Sequence, residues 1–415
     1  MQDLRWPTYA TRDVILEARA PDGEGGSMHV VDQHGVVYLD AVTGVGCAPL
    51  GHAHPLWVEA MHLQSQRLCT ASNSFITGPQ QHLAARLAEL FPLAGARAFL
   101  CNSGTEATEA AVKLALRATG RDTIVCFERA FHGRTLAALS LTANRKYREP
   151  YVRCVGEDAP GRFAHVRALR VPFGDEESVR QVFAAEGSRI AAVFLEPVQG
   201  EAGVYPASRD FLRFLRAITR EHGALLGADE VQSGCGRTGR WSAWETIVGD
   251  DPELQPDLMW LAKALGGGFP IGACLARGAL SEAMSPGSHG TTFGGNPLAC
   301  AVALATLRIM EEERLLESAG AQSRILVELA ASTPIPAVTE LRACGAMIGI
   351  QIGETSEQRG TAIGNRLMDD HRILVTVCGG HTVRLLLPYR AGAAELGEIW
   401  RALAAACAAE ARSAS

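Results

Sequence analysis

Between residues 97 and 276, short apolar runs alternate with stretches of helical period, and this alternation leaves the chain very few architectures. RAFLC (97–101), DTIVCF (122–127), RIAAVFLEP (189–197), ALLGAD (224–229) and IGACLA (271–276) read as strands. Between them, Gly104 to Thr119 sets Ala107, Ala111, Leu114, Ala115 and Ala118 at helical spacing, and FLRFLRAITREH (211–222) is amphipathic. A strand without a polar face must be covered on both sides. The pattern therefore predicts an α/β fold, a mostly parallel central sheet with helices on both faces.

The flanks have a different character. HVVDQHGVVYLDAV alternates apolar and polar residues about a turn at Gln33–Gly35, which predicts a hairpin. Pro55–Leu68 and GPQQHLAARLAELF are helix-like, the second with Leu83, Leu87 and Leu90 on one stripe. Pro297 to Leu316 reads as one long helix leaving the central unit. Beyond it AMIGIQI (346–352), RILVTV (372–377) and TVRLLLP (382–388) are strand-like, and ELGEIWRALAAACAAEA closes the chain as a helix. Residues 280–297, with SPGSHGTTFGGNP, are too rich in Gly and Ser for a regular element. Domains usually run to ~50–250 residues, so 415 residues imply at least two. The expected division is a large domain over 56–297 and a smaller α+β domain over 298–415, which the N-terminal segment 1–55 joins.

Composition narrows the function. Hydrophobic content of 47% and charged content of 20% suit a soluble globular protein. A net charge of −6 recommends neither nucleic acid nor an anionic membrane as partner. The 11 cysteines form no CxxC pair, which favours scattered buried thiols over a disulfide framework or metal site. His52 and His54 in GHAHP lack a neighbouring ligand to complete a zinc site. MQDLRWPTYATRD has no apolar signal core, and no run of 18 apolar residues occurs, so the cytoplasm is the expected compartment.

Lys263, in WLAKALGGGFPIG, carries the chemistry. A lysine amine can form a Schiff base with an aldehyde cofactor. It lies between alanines and before a triple glycine, where small residues let a bulky cofactor approach, although a snorkelling lysine fits too. Asp229 ends an apolar strand, the place where ligands bind in open α/β sheets, and its carboxylate could hold a pyridine nitrogen protonated. A surface acid would look the same in isolation; paired with Lys263 it points to pyridoxal phosphate. Ser103, Gly104 and Thr105 stand at a strand-to-helix transition whose free amides suit a phosphate, while Ser103 and Glu106 equally spell a capping box. Phe131 could lie over a cofactor ring or in the core, and Arg134 could clamp a carboxylate with its planar fork. The chain has no Walker-type GKS or GKT, and no GxGxxG follows the first strand.

GHAHP, CNSGTEATEAAVKLA, AFHGRTLAALS, EPVQGEAGV, ADEVQSGCGRTG, AKALGGGFPIG and GTTFGGNPLAC, in this order, resemble the class III, fold type I pyridoxal-phosphate aminotransferases, nearest the acetylornithine and ornithine aminotransferases. The resemblance implies that Lys263 is the Schiff-base lysine, that Asp229 pairs with the pyridine nitrogen, and that Gln232 lies near the phenolic oxygen. It implies that Phe131 stacks on the ring and that Ser103, Gly104 and Thr105 hold the phosphate. Thr292 resembles a threonine that reaches the phosphate of a neighbouring subunit, which implies a homodimer with shared sites. Arg134 and Arg384 resemble two substrate-carboxylate arginines, and Glu201 an acid that masks Arg384. The expected reaction is ping-pong transfer of the terminal amino group of N2-acetyl-L-ornithine to 2-oxoglutarate. Succinylornithine, 4-aminobutyrate, ornithine or a diamine are alternative donors, and a non-transaminating enzyme or a binding protein of the same fold are more distant readings. The chain departs from the ornithine pattern at Val45 and Ile76, where tyrosines are expected, and in CGGHTVRLLLPYR around Arg384. The two lost tyrosines favour an acylated, less polar donor.

Overall fold

The computed structural model describes residues 6, 8, 14–19, 25–91, 93–155, 162–163 and 166–414. Its centre is an eight-stranded sheet, numbered along the chain β1 (Arg97–Cys101), β2 (Thr123–Phe127), β3 (Arg162–Phe163), β4 (Val166–Val171), β5 (Ile190–Leu195), β6 (Leu225–Asp229), β7 (Leu258–Leu261) and β8 (Gly272–Ala276). The spatial order is β1-β8-β7-β6-β5-β2-β4-β3. From β7 through β6, β5 and β2 to β4 every pairing is parallel. β8 runs antiparallel to both neighbours, and β3 antiparallel to β4. The fold is thus the expected fold type I transferase, with a large α/β domain and a smaller α+β domain.

Sequence explains the central layer directly. All six residues of β5 and all five of β2 are buried, as strands covered on both faces require. The helix Gly104–Thr119 covers one face with Ala107, Ala111, Leu114 and Ala115. Ser103 accepts the Glu106 amide at its start, and Gly120 ends it in the left-handed conformation that glycine adopts without strain. The Glu106 carboxylate reaches back to the Asn102 amide at 2.6 Å, one residue before the position a simple capping box would use.

The flanks form two four-stranded sheets. One joins Leu16–Arg19, His29–Asp32 and Val37–Asp40 to Ile373–Leu374, so the N-terminal hairpin packs with a strand from the far end of the chain. The other runs Val338–Cys344, Met347–Ile352, Thr382–Leu385, Thr376–Cys378. Two expectations need correction. The strand at 372–377 is two short strands in different sheets, because Ile373 pairs with Leu39 whereas Thr376 pairs with Arg384. The long helix at 297–316 is broken: Pro297–Glu312 ends, Arg314 takes a left-handed φ of 53°, and a second helix runs Leu315–Ser332. EEERLL contains no Gly or Pro to announce that break.

The two histidines of GHAHP are structural. His52 binds the Asp40 carboxylate at 2.8 Å, and buried His54 binds Glu313 at 2.9 Å. Among the described residues no group of three or more His, Cys, Asp or Glu could hold a metal ion, and no helix is long and apolar enough to cross a membrane.

Candidate active site

The carboxyl ends of β7, β6, β5 and β2 open into one cavity of about 390 Å³. Each strand end supplies its own residues. After β1 come Ser103, Gly104 and Thr105, and after β2 Phe131 and Arg134. Glu196 and Glu201 come after β5, Asp229 and Gln232 lie at and after the end of β6, and Lys263 comes after β7; all of these line the cavity.

Lys263 adopts a φ of 44°, a left-handed conformation that costs a non-glycine residue energy and collects at functional sites. Burial pushes its amine below the ordinary lysine value and the Arg384 charge adds to this, while Glu201, Cys47 and Asp229 oppose it. The net effect is an amine more easily freed of its proton, as a nucleophilic lysine needs.

Asp229 is buried, with one oxygen 2.6 Å from His132 Nδ1 and the other accepting the Val231 amide at 3.1 Å. Burial works against a charged His132, but the hydrogen bond and charge of Asp229 outweigh it and raise the imidazole above its ordinary value. The hydrogen bond to His132 and that from the Val231 amide fix the direction of the Asp229 carboxyl group.

The first amides of the helix at Gly104 and Thr105 have no carbonyl four residues back to bind, which leaves them for an anion. Thr105 Oγ1 accepts the amides of Arg134 and Thr135, each at 3.2 Å, and lies 2.8 Å from Thr135 Oγ1. A Cβ on Gly104 would meet Val231 Cγ1 at 2.7 Å, so only glycine lets the helix start close on the strand-end loop.

Behind Glu201 and Gln232, which line the cavity, Arg384 is 2% exposed. Its Nη1 donates to Glu201 at 2.7 Å and to Gln232 Oε1 at 3.2 Å, its Nε to Thr376 at 3.1 Å, and Gln232 Nε2 donates to Glu201 at 3.1 Å. Burial alone would raise the Glu201 carboxyl; the charges of Arg384 and Lys263 and the hydrogen bonds from Arg384 and Gln232 together outweigh it and hold the group below the usual range. Arg134 is exposed at the mouth and lies on the Tyr147 ring, 3.6 Å from its centroid. Two expected site residues do not line the cavity: Arg384 is buried behind Glu201 and Gln232, and Thr292 is exposed on the surface.

Four residues escaped individual assignment. His132 and Glu196 stand inside AFHGRT and EPVQGE, but nothing in one dimension says which strand end they face. Cys47 enters the cavity wall from a turn in the N-terminal segment, and Tyr147 supports Arg134 from a helix over Arg145–Val155.

Fold and cavity define a pyridoxal-phosphate-dependent transferase of fold type I. The chain belongs to the class-III aminotransferases, whose family model matches residues 16–407. It is 44% identical over 332 residues to an acetylornithine aminotransferase of Methanopyrus kandleri, covering 80% of each chain. It is 36% identical over 368 residues to a LysW-aminoadipate semialdehyde/glutamate semialdehyde transaminase of Sulfurisphaera tokodaii, covering 88% of this chain and 89% of the other. Its structure matches an N-acetylornithine aminotransferase of Stenotrophomonas maltophilia with a TM-score of 0.78 at 31% identity, over 98% of both chains. The residues fit the cofactor: a buried amine, a buried carboxylate and a helix start converge on one cavity. At the level of the family, the activity is aminotransfer from an ω-amino acid.

Proposed function

We propose that the chain transfers the terminal amino group of N2-acetyl-L-ornithine to 2-oxoglutarate, giving a semialdehyde and L-glutamate in two ping-pong half-reactions. The observation that carries this reading is the 2.7 Å ion pair between buried Arg384 and Glu201, the partner that lines the cofactor cavity. A dicarboxylate can engage both Arg134 and Arg384. A donor with one carboxylate takes Arg134 and leaves Arg384 to Glu201, so buried Arg384 is paired with either substrate.

Pyridoxal phosphate, when bound, supplies an aldehyde that takes up the amino group and a ring that spreads negative charge. Lys263 would hold it covalently, and Lys263 Nζ would then move the proton at the carbon bearing the amino group. Asp229, oriented by His132, would keep the ring nitrogen protonated. Gln232 would serve the phenolic oxygen, Phe131 the ring face, and Ser103, Gly104 and Thr105 the phosphate.

The acyl preference rests on what replaces the expected tyrosines. Val45 packs with Val198, Val204, Met347 and Leu386, and this apolar cluster offers a charged α-amine no partner. Thr292 belongs to the site of a second copy. It sits beside exposed Phe293, and Asn73 ties this loop to that of exposed Phe75 and Ile76 through the Thr291 and Gly294 carbonyls. The reading thus includes a homodimer, a cytoplasmic setting, and the domain division at 55/56 and 297/298.

The test is a half-reaction screen of cofactor-loaded protein with acetylornithine, succinylornithine, ornithine, 4-aminobutyrate, a diamine and glutamate, without keto acid. Loss of the visible cofactor band with acetylornithine and glutamate supports the reading. A response to glutamate alone redirects the search to another donor. Crystals with each substrate should show Arg384 exchanging Glu201 for the second carboxylate, and a pair that never parts would sink the masking account.

A further inference from the structure

Glu196 is a buried carboxyl that the aminotransfer chemistry above does not use. It stands just past the end of β5, lines the cofactor cavity, and has no ion-pair partner within 4.0 Å among the described residues. Its two oxygens point to two different loops. Oε1 accepts the Phe131 amide at 2.8 Å, and Oε2 accepts the Gly200 amide at a longer 3.4 Å. The first loop carries Phe131, His132 and Arg134; the second carries Glu201. We propose that Glu196 is a positioning residue that fixes, through one carboxyl group, both the ring-stacking loop and the loop that masks the second substrate arginine.

The first loop is also held at His132 by Thr142 and Asp229 and at Arg134 and Thr135 by Thr105, and the second at Glu201 by Arg384, but the Phe131 and Gly200 amides themselves rest on Glu196. Gly200 is pressed against Gln232, whose Oε1 a Cβ there would overlap, so a shift of the loop moves Gln232 and with it the Arg384–Glu201 pair. A second tie, Gln199 Nε2 to the Glu128 carbonyl at 2.9 Å, joins the same two loops away from the cavity and keeps them associated without setting the Phe131 amide. The carboxyl is held among like charges: burial and Asp229 push it up, to about 7, against the pull of His132 and the Phe131 amide, and Glu201 adds to the rise. What this acid offers the two loops is a pair of acceptor oxygens. A small displacement of positioning groups can cost about a hundredfold in rate, which sets the size of the expected effect.

This inference rests on the site reading above but not on the identity of the donor. The test uses cofactor-loaded Glu196→Ala and Glu196→Gln proteins, with hydrogen exchange over 129–135 and 198–204, cofactor affinity, and KM and kcat for donor and 2-oxoglutarate. In Glu196→Ala both segments should exchange at least tenfold faster while the rest of the chain is unchanged, and kcat/KM for both substrates should fall about a hundredfold. Glu196→Gln keeps one acceptor oxygen, so the Phe131 segment should stay protected while the Gly200 segment loosens, and 2-oxoglutarate KM should rise more than donor KM. Unchanged exchange with unchanged KM would overturn the proposal. So would a uniform rise in exchange with a lower melting temperature, the mark of a merely structural acid. Should the alanine variant not fold, the glutamine variant decides by the same two segments. A chain that turned over none of the donors yet loosened only at these segments would fault the donor reading and leave the tie standing.

Discussion

Arg134 is exposed, so its usefulness depends on being held still before substrate arrives. Tyr147 does this: the guanidinium carbon lies 3.6 Å from its ring centroid, with Phe131 edge-on to Tyr147 at 6.4 Å. A cation on an aromatic face at an exposed site is worth about 0.5–1 kcal/mol. Tyr147→Leu should therefore raise KM for donor and 2-oxoglutarate about two- to fivefold with kcat little changed, whereas Tyr147→Phe should stay within about twofold; steady-state kinetics on both substrates checks this. At this scale the sequence was informative about identity and, apart from the Glu201–Arg384 pair that the resemblance implied, silent about partners. Lys263, Asp229, Phe131, Arg134, Glu201 and Gln232 were all legible as candidates, and all line one cavity. That Asp229 binds His132, or that Glu196 serves two amides, was not, because those contacts join residues 97 and 65 positions apart.

The turn at Thr43–Gly46 presents Cys47 to the cavity through four successive positive φ values, 49° at Thr43, 63° at Gly44, 65° at Val45 and 85° at Gly46. A β-branched residue in this region is strained, so neighbouring contacts must hold the turn. Asp40 accepts the amides of Val42 and Thr43, Thr43 donates to the Leu386 carbonyl at 2.6 Å, and fully buried Arg237 donates to the carbonyls of Gly46 at 3.2 Å and Leu387 at 2.5 Å. Arg237 also stacks on Tyr389, so one side chain joins the loop after β6, the N-terminal turn and the small-domain segment beyond Thr382–Leu385. Arg237→Ala leaves at least two buried carbonyls unpaired, at about 1–3 kcal/mol each, and should lower unfolding free energy by about 3 kcal/mol in a urea titration. Lysine should rescue little, since a point charge cannot reproduce the fork. Helix and strand positions in the central layer could be read because periodicity and burial agree there. The split at Arg314 could not, since no local residue announces it, nor could the change of sheet at 373–376, which the partner strands decide.

Glu230 is 1% exposed and accepts Ser233 Oγ and the amides of Ala243 and Trp244, yet burial pushes its carboxyl up to about 7. The folded state thus holds a proton that the unfolded state releases near the ordinary glutamate value, so this group lowers stability progressively from about pH 4.5 to about pH 7. His132, raised in the fold, acts in the same direction, losing its contribution as pH rises through its folded value. Glu230→Gln, which cannot ionise, should melt below the parent at pH 5 and approach it by about pH 8, measured by calorimetry at saturating cofactor. The exposed Phe75, Ile76 and Phe293, at 71%, 74% and 62%, form the face assigned to a second copy. Ile76→Asp with Phe293→Asp should therefore halve the mass seen by sedimentation and abolish turnover, because Thr292 could no longer reach its partner's site; a monomeric wild-type chain with full activity would refute the shared site. Period, burial pattern and strand-end chemistry are local properties, and from them the sequence by itself determined the layered α/β core and the residue types of a pyridoxal-phosphate site. Which strand ends meet, the His132–Asp229 pair, and the return of Ile373 to the N-terminal hairpin were decided only by the tertiary structure, because each depends on a contact whose energy appears when distant segments pack together.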